Sequence, residues 1–338
     1  MKYHVTLKPS DTVIQVDARE TILQAALNAG RTLPYSCRSG TCGTCLGEVL
    51  QGRVAYPDNQ RPTAISETQM QSGKALFCQA RPLSDLIIKV REIDAVADLK
   101  VRTLPCRVMG LQRLAPDVMQ INLRLPNHEQ LPFLAGQYID FLLRDSRRRS
   151  FSLANPPHAS QHLELHVRHI PGGVFSDFAF NKLKEQAILR LQGPLGTFFV
   201  RHDNQRPIIM VGGGTGFAPL KAMVEDLFHH GIERPIHLYW GARARRDLYL
   251  HELPLRWAKQ QPLFEYTPVL SAPADEDGWN GRSGWVHEAV AADYPDLSGH
   301  EVYMSGPPPM IEAAKTAFQA QGLALEHLYY DAFAPASD

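Results

Sequence analysis

Apolar and polar positions alternate through KYHVTLK and TVIQV, residues 2 to 8 and 12 to 16, and this period of two predicts an opening β-hairpin. Asp17 and Glu20 then stand three residues apart like a helix-capping pair. The apolar run Ile22, Leu23, Ala25, Ala26 and Leu27 follows, stopped by Gly30. A small α+β domain is expected over 1–93, with DAVADLKVR at 94–102 as a linker. From 103 to 203 short strand-like runs crowd together: LPCRVMGL, VMQINLRL, QYIDFLL, RRSFSLA, HLELHVR and AILRL. Their closeness and the turn residues between them predict an antiparallel β-barrel. Over 204–338 the pattern changes again. IIMVGGG is followed by a helical stripe of Phe217, Leu220, Met223, Val224, Leu227 and Phe228. IHLYWG, FEYTPVLS and EVYMSG then alternate with further helix-like segments, as in an open α/β sheet. The chain therefore reads as multi-domain, without internal repeats.

Composition narrows the partners. In 338 residues, 35 Lys and Arg balance 35 Asp and Glu, so overall charge draws the chain neither to nucleic acid nor to an anionic membrane. The opening MKYHVTLKPS lacks a basic segment followed by an apolar run, and no apolar stretch approaches the roughly 20 residues that span a bilayer. The expectation is a cytoplasmic protein with no membrane partner. In that setting thiols stay reduced, and clustered cysteines point to metal or redox chemistry.

Three of the five cysteines lie within nine positions. Cys37, Cys42 and Cys45 have the spacing C-x4-C-x2-C, and Cys78 follows 33 residues later in ALFCQARP. Three thiolates from one loop and a fourth from a later segment is the spacing of a [2Fe-2S] centre. Gly40 and Gly43 let the loop curl tightly and let amides approach anionic sulfur. Zinc is the alternative metal, although structural zinc usually takes two short cysteine pairs and only Cys42 and Cys45 form one here. Cys106, outside this spacing, reads as a small buried hydrophobe. Through C-R-x-G-x-C-G-x-C, matched by Cys37, Arg38, Gly40, Cys42, Gly43 and Cys45, the segment resembles the plant-type ferredoxins. The implied fold is β-grasp-like.

Four further blocks are weak one by one. RSFSLAN from Arg149 and PGGVFSDF from Pro171 read plainly as a solvated turn and a tight bend, and VGGGTGFAPL from Val211 as a strand-to-helix turn, with GPLGTFF from Gly193 between them. An arginine beside hydroxyl residues on a strand can also hold a pyrophosphate, and a glycine pair entering a helix offers amides to phosphate. In this order the blocks resemble the ferredoxin-NADP reductase superfamily, with its R-x-[YF]-S and G-x-x-S flavin motifs. The resemblance implies FAD held by Tyr138, Arg149, Ser150, Phe151, Ser152, Val167, Gly172, Gly173, Val174 and Ser176. Within this set Ser152 would sit near flavin N5, and Arg149, Ser176 and the glycine amides on the diphosphate. It implies a nicotinamide site bounded by Gly212, Gly214, Thr215, Gly216, Ser305 and Gly306, with Phe333 as an aromatic near the isoalloxazine face. Ser152, Ser305 and Phe333 would act in catalysis. Two positions depart from the pattern: Ser305 stands where the superfamily usually has Cys, and Phe151 where many relatives have Tyr.

The order ferredoxin, flavin barrel, nicotinamide domain resembles the NADH-dependent reductase components of bacterial oxygenases. It also resembles the CDP-6-deoxy-Δ3,4-glucoseen reductase type of iron-sulfur flavoprotein, which serves 3,6-dideoxyhexose biosynthesis. Implied are NADH as donor and a partner protein, a dehydrase or an oxygenase component, as electron acceptor. Arg243, Arg245 and Arg246 after IHLYWG keep NADPH open, since a 2′-phosphate would lie there. Residues 1–93 carry eleven Lys or Arg against eight Asp or Glu, a formal +3, so the acceptor is expected near Arg38 to Thr44 with carboxylates facing Arg38 and Arg31. The rival class is a zinc-stabilised module that binds nucleotide without turnover.

Overall fold

The computed structural model describes residues 1–96, 98–145, 147–159 and 161–334. Its chain contacts divide it into two compact units, one comprising Met1–Lys100 with Ala334 and the other Val101–Phe333.

In the first unit β1 (Lys2–Lys8) and β2 (Thr12–Asp17) form the expected hairpin, and α1 (Ile22–Asn28) follows. The helix start differs from the sequence expectation. Thr21 is the N-cap, accepting from the Gln24 amide at 3.2 Å, whereas Asp17 accepts from the Arg19 amide and Glu20 from the Asn28 side chain. A threonine directly before the first apolar residue outcompetes an acid four residues earlier, because a cap must reach the second or third helical amide. Next come β3 (Leu46–Gln51), β4 (Val54–Ala55), α2 (Glu67–Gln71), β5 (Lys74–Leu76), β6 (Arg81–Pro82) and β7 (Leu86–Lys89). The main sheet runs β2-β1-β7-β3-β5, with β1 and β7 parallel, and β4 and β6 pair separately. Val5, Leu7, Ile14, Val16 and Ile88 meet Ile22 and Ala26 of α1 in its core.

The second unit opens with β8 (Arg102–Ala115), so Arg102 belongs to a strand. Leu104, Cys106 and Val108 point inward from β8 between exposed Thr103, Pro105 and Arg107, the period of a strand with one wet face. β9 (Val118–Arg124), β10 (Tyr138–Leu142), β11 (Arg148–Ser152), β12 (Leu163–Arg168), α3 (Val174–Asn181) and β13 (Ile188–Leu195) complete this part. The order β11-β10-β13-β8-β9-β12 is antiparallel throughout, and a Leu153 to Leu165 bridge joins its two edges into a barrel.

The chain then builds β14 (Ile208–Gly213), α4 (Phe217–His230), β15 (Ile236–Ala242), α5 (Glu252–Gln260), β16 (Phe264–Leu270), β17 (Arg282–Ser283), α6 (Val286–Asp293), β18 (Glu301–Gly306), α7 (Pro308–Ala320) and β19 (Leu328–Ala332). All six strands are parallel, in the order β17-β16-β15-β14-β18-β19. The central β14 and β18 are buried along their whole length; β14 accordingly opens on the apolar run Ile208 to Val211, while Glu301 of β18 is buried against Arg234. α4 lays Phe217, Leu220, Met223, Val224 and Leu227 on the sheet and ends at Gly231, whose φ of 83° suits a helix stop. Among the described residues no helix is long and apolar enough to cross a membrane.

Candidate functional site

In the first unit the loop from Cys37 to Cys45 curls through left-handed backbone at Arg38, Gly40 and Gly43, with φ of 58°, 77° and 81°. A Cβ on Gly40 would come within 2.8 Å of Pro62, so the glycine also permits a close approach. The segment carrying Cys78 is bound to this loop: Phe77 N–H donates to the Cys45 carbonyl at 3.1 Å, and the Gln79 side chain donates to the Arg38 carbonyl at 2.8 Å. α1 holds the same segment from behind, its Ile22 and Leu23 amides donating to Ala80 and Phe77 carbonyls.

The four predicted cysteines come together as two pairs, Cys37 with Cys42 and Cys45 with Cys78, and among the described residues no group of three closes on one metal position. Cys42 donates its thiol hydrogen toward Cys37, which together with donors from Ser39 and Thr41 pulls Cys37 down to about 4. The same bond and burial push Cys42 well up, and a bond to Cys78 with burial does so for Cys45. Cys42, Cys45 and Cys78 are buried, whereas Cys37 is half-buried. Two contacting thiol pairs on a small-residue loop suit two bridged irons, each taking one pair. Cys106 is buried on β8 with its thiol pushed up to about 12 by burial, and takes no part.

In the second unit β10 and β11 set Tyr138 opposite Ser152 and Asp140 opposite Ser150. Strand alternation puts Ser150 and Ser152 on one face and Arg149 and Phe151 on the other. Ser150 donates to Asp140 at 2.6 Å, and the Arg149 guanidinium donates to the Arg148 carbonyl at 2.9 Å. Phe151 lies against Phe141 and Phe175, centroids 5.8 and 5.0 Å away. Tyr138 is buried against Gly196, where a Cβ would stand 2.7 Å from the ring, and Val167 is buried on β12. Gly172, at φ 78°, turns the chain into α3, and both glycine amides expected on the diphosphate are taken, Gly172 donating to the Asp177 carboxylate at 3.0 Å and Gly173 to the Ile170 carbonyl at 2.8 Å; the amides left for an anion are those of the first helical turn after the N-cap Gly173, which no side chain caps. The Ser176 hydroxyl is turned back, donating to the Ile170 carbonyl at 2.9 Å and accepting from its amide at 3.1 Å. An anion at this turn would find the helix amides in place of that hydroxyl.

The nucleotide sheet ends in two glycine-dependent contacts. A Cβ on Gly216 would lie 1.9 Å from the Ser305 carbonyl oxygen, and one on Gly213 would lie 2.6 Å from the Met310 sulfur. Gly212 and Gly213 end β14, Gly214 to Gly216 form one tight turn, and Thr215 is half-buried on it. Beside them Ser305 is fully buried with a hydroxyl that has no hydrogen-bond partner, an orphaned polar atom at the mouth of a dinucleotide turn. The Phe333 amide donates to the Gly306 carbonyl at 2.9 Å, which sets Phe333 beside the end of β18.

Several residues of this site were not legible beforehand. Asp331 on β19 accepts from Ser152 at 3.2 Å and so ties the flavin-motif strand to the last nucleotide-sheet strand. Trp240 donates from its indole to the Gly214 carbonyl at 2.9 Å, and Arg168 reaches across to Gly214. Glu164, His166 and Lys221 form a buried polar group between β12 and α4. The only available signal was LELHVR, in which two polar residues fall on one face of a buried strand.

A cysteine loop built for two irons, a barrel with an anion-ready helix turn and a parallel sheet with a dinucleotide turn define an iron-sulfur flavoprotein oxidoreductase. Residues 5–83 match the 2Fe-2S iron-sulfur cluster binding domain, 105–200 the oxidoreductase FAD-binding domain and 210–316 the oxidoreductase NAD-binding domain. The chain is 40% identical over 335 residues to CDP-6-deoxy-L-threo-D-glycero-4-hexulose-3-dehydrase reductase of Yersinia pestis, covering 99% of each. It is 38% identical over 343 residues to the reductase component of phenol 2-monooxygenase of Pseudomonas sp. strain CF600, covering 100% of this chain and 96% of that one. A solved ferredoxin reductase in carbazole 1,9a-dioxygenase superposes with a TM-score of 0.70 at 28% identity over 99% of both chains. The chain belongs to this family of NAD(H)-, FAD- and [2Fe-2S]-dependent reductases. The zinc-module reading is overturned by the 2Fe-2S family match.

Proposed function

We propose that the chain draws electrons from NADH and delivers them to a dehydrase acting on a CDP-linked 4-hexulose. The observation that carries this reading is the full-length 40% identity to the Yersinia dehydrase reductase. The oxygenase reading is second and rests on the similarly complete match to the phenol 2-monooxygenase component. A cytoplasmic setting suits both, because the cluster thiols must stay reduced.

The flavin supplies the conversion between a two-electron hydride donor and a one-electron iron-sulfur centre. Around it, the first amides of α3 and the Arg149 guanidinium hold the diphosphate, Tyr138 and Val167 pack the ring and ribityl chain, and Phe333 covers the ring. Cys37 with Cys42 holds one iron, and Cys45 with Cys78 the other. The Ser152 hydroxyl donates its hydrogen to Asp331, so toward a flavin N5 it would present oxygen lone pairs. Gly216 and Ser305 bound the nicotinamide, and their tight contact keeps water out. Arg245 already donates to the Asp277 carbonyl at 3.1 Å, which supports NADH over a donor with a 2′-phosphate; kcat/KM for the two donors decides this.

The acceptor docks at the Arg38 to Thr44 loop with carboxylates facing Arg38 and Arg31, a reading supported by the formal +3 of residues 1–93. The test is anaerobic reduction with NADH followed by stopped-flow oxidation with a CDP-hexulose dehydrase or a phenol hydroxylase component. Faster oxidation by the dehydrase, slowed by salt and by Arg38→Ala, is expected. Faster oxidation by the hydroxylase, or no dependence on salt and Arg38, would reverse the assignment.

A further inference from the structure

Two charged side chains, Lys221 and Glu164, and one histidine, His166, are buried where the barrel meets the nucleotide sheet. The Lys221 side chain, on α4 and 9% exposed, donates to the Ala154 carbonyl at 3.0 Å and to Glu225 at 3.0 Å, and lies 3.4 Å from Glu164 of β12. Glu164 accepts from the fully buried His166 at 2.8 Å, and the other ring nitrogen of His166 meets the Tyr249 hydroxyl at 3.0 Å. Tyr249 stands edge-on to Trp240, 5.1 Å between centroids, and Trp240 is stacked on Phe217 and bonded to Gly214. Ala154 comes two residues after Ser152, and its own amide donates to the Glu164 carbonyl at 2.8 Å. Unbroken contacts thus run from the flavin-motif strand to the dinucleotide turn.

Buried charge adds little to stability against apolar packing, but it is satisfied at one placement only. If α4 slips by about 1 Å against the barrel, the Ala154 and Glu164 contacts are lost together and Lys221 keeps only Glu225 of its own helix. We propose that Lys221, through Glu164 and Ala154, is a positioning residue for hydride transfer, fixing the nucleotide helix against the strand that carries Ser152. It touches neither donor nor acceptor; it sets the distance between them.

This inference rests on NADH reducing the flavin in this chain, which wild-type protein tests by itself: absence of flavin bleaching would sink that reading, not the positioning role. Given bleaching in wild type, Lys221→Met, Glu164→Gln and the double variant are compared as holoproteins. The readouts are limiting flavin-reduction rate, NADH Kd and long-wavelength charge-transfer absorbance with bound nicotinamide. Expected are a tenfold or greater fall in rate, Kd within threefold, weaker charge-transfer absorbance, no further loss in the double variant and partial rescue by Lys221→Arg. An unchanged rate and absorbance, or single effects that multiply in the double variant, would overturn it. If Lys221→Met fails to retain FAD, Glu164→Gln and Lys221→Arg carry the same test.

Discussion

Replacing Gly216 by alanine tests the contact on which the nucleotide site is built. The added Cβ would lie 1.9 Å from the Ser305 carbonyl oxygen and 2.9 Å from the Gly306 nitrogen. Both obstacles are backbone, on a strand paired to β14 on one side and β19 on the other, so no side-chain rotation relieves them. Real Cβ contacts do not fall below 3.0 Å, so the turn and β18 must separate by about 1.1 Å. Overpacking of this kind costs roughly 1–3 kcal/mol. A 1 Å misplacement at a reacting centre costs about 100-fold in rate. Anaerobic stopped-flow bleaching of the flavin by NADH should therefore slow about 100-fold. Cluster absorbance and FAD content should stay at wild-type values, because the cysteine loop belongs to the other unit and the flavin motifs lie on the barrel. Gly299→Ala is the control, since nothing lies within 4 Å of its added Cβ and its backbone is not left-handed. A Gly216→Ala protein that bleaches at the wild-type rate would refute the claim that this close approach sets the nicotinamide position.

Cys78→Ser should abolish the cluster absorbance and electron paramagnetic signal while NADH still bleaches the flavin within twofold of wild type; parallel loss of flavin reduction would contradict the separation of the two sites. Ser305→Cys replaces a buried hydroxyl without a partner by a thiol that tolerates burial, and should raise stability by about 1 kcal/mol and speed single-turnover flavin reduction. Unchanged rates would remove Ser305 from the nicotinamide contact. Burial holds His166 below its ordinary value, against the pull of Glu164. The unfolded chain takes up a proton below about pH 6.5 that the folded chain refuses, so stability is full above that pH and falls as pH drops, by at most about 1.4 kcal/mol per pH unit. Glu164 is also held low, burial opposing but His166 and Lys221 prevailing, and it adds to the loss at more acidic pH. Thermal unfolding between pH 7.5 and 5 should show this slope, and His166→Gln should flatten it; an equal slope in the variant would assign it elsewhere.

The cysteine spacing, the alternation of strands in the barrel and the switch to strand-helix repetition were readable in the chain because each is local: a ligand spacing, a period of two, a period near 3.6. Of the glycines of VGGGTGF only Gly214 is left-handed, at φ 53°; Gly213 and Gly216 are required by Met310 and the Ser305 carbonyl, partners that the local sequence does not show. Asp331 was not readable, because its meaning lies in Ser152, 179 residues earlier. Nor was Lys221, a helix lysine like any other until burial sets it against Ala154 and Glu164 of the barrel. The turn of the Ser176 hydroxyl toward Ile170, and the start of α1 at Thr21 in place of Asp17, were likewise decided by which partner lies within hydrogen-bond reach. Sequence by itself determined which cofactor chemistry the chain can hold, since ligand type and backbone freedom are carried by single residues and their neighbours. Tertiary structure alone decided how the donor side is held against the flavin side, since that depends on distances between strands far apart in the chain.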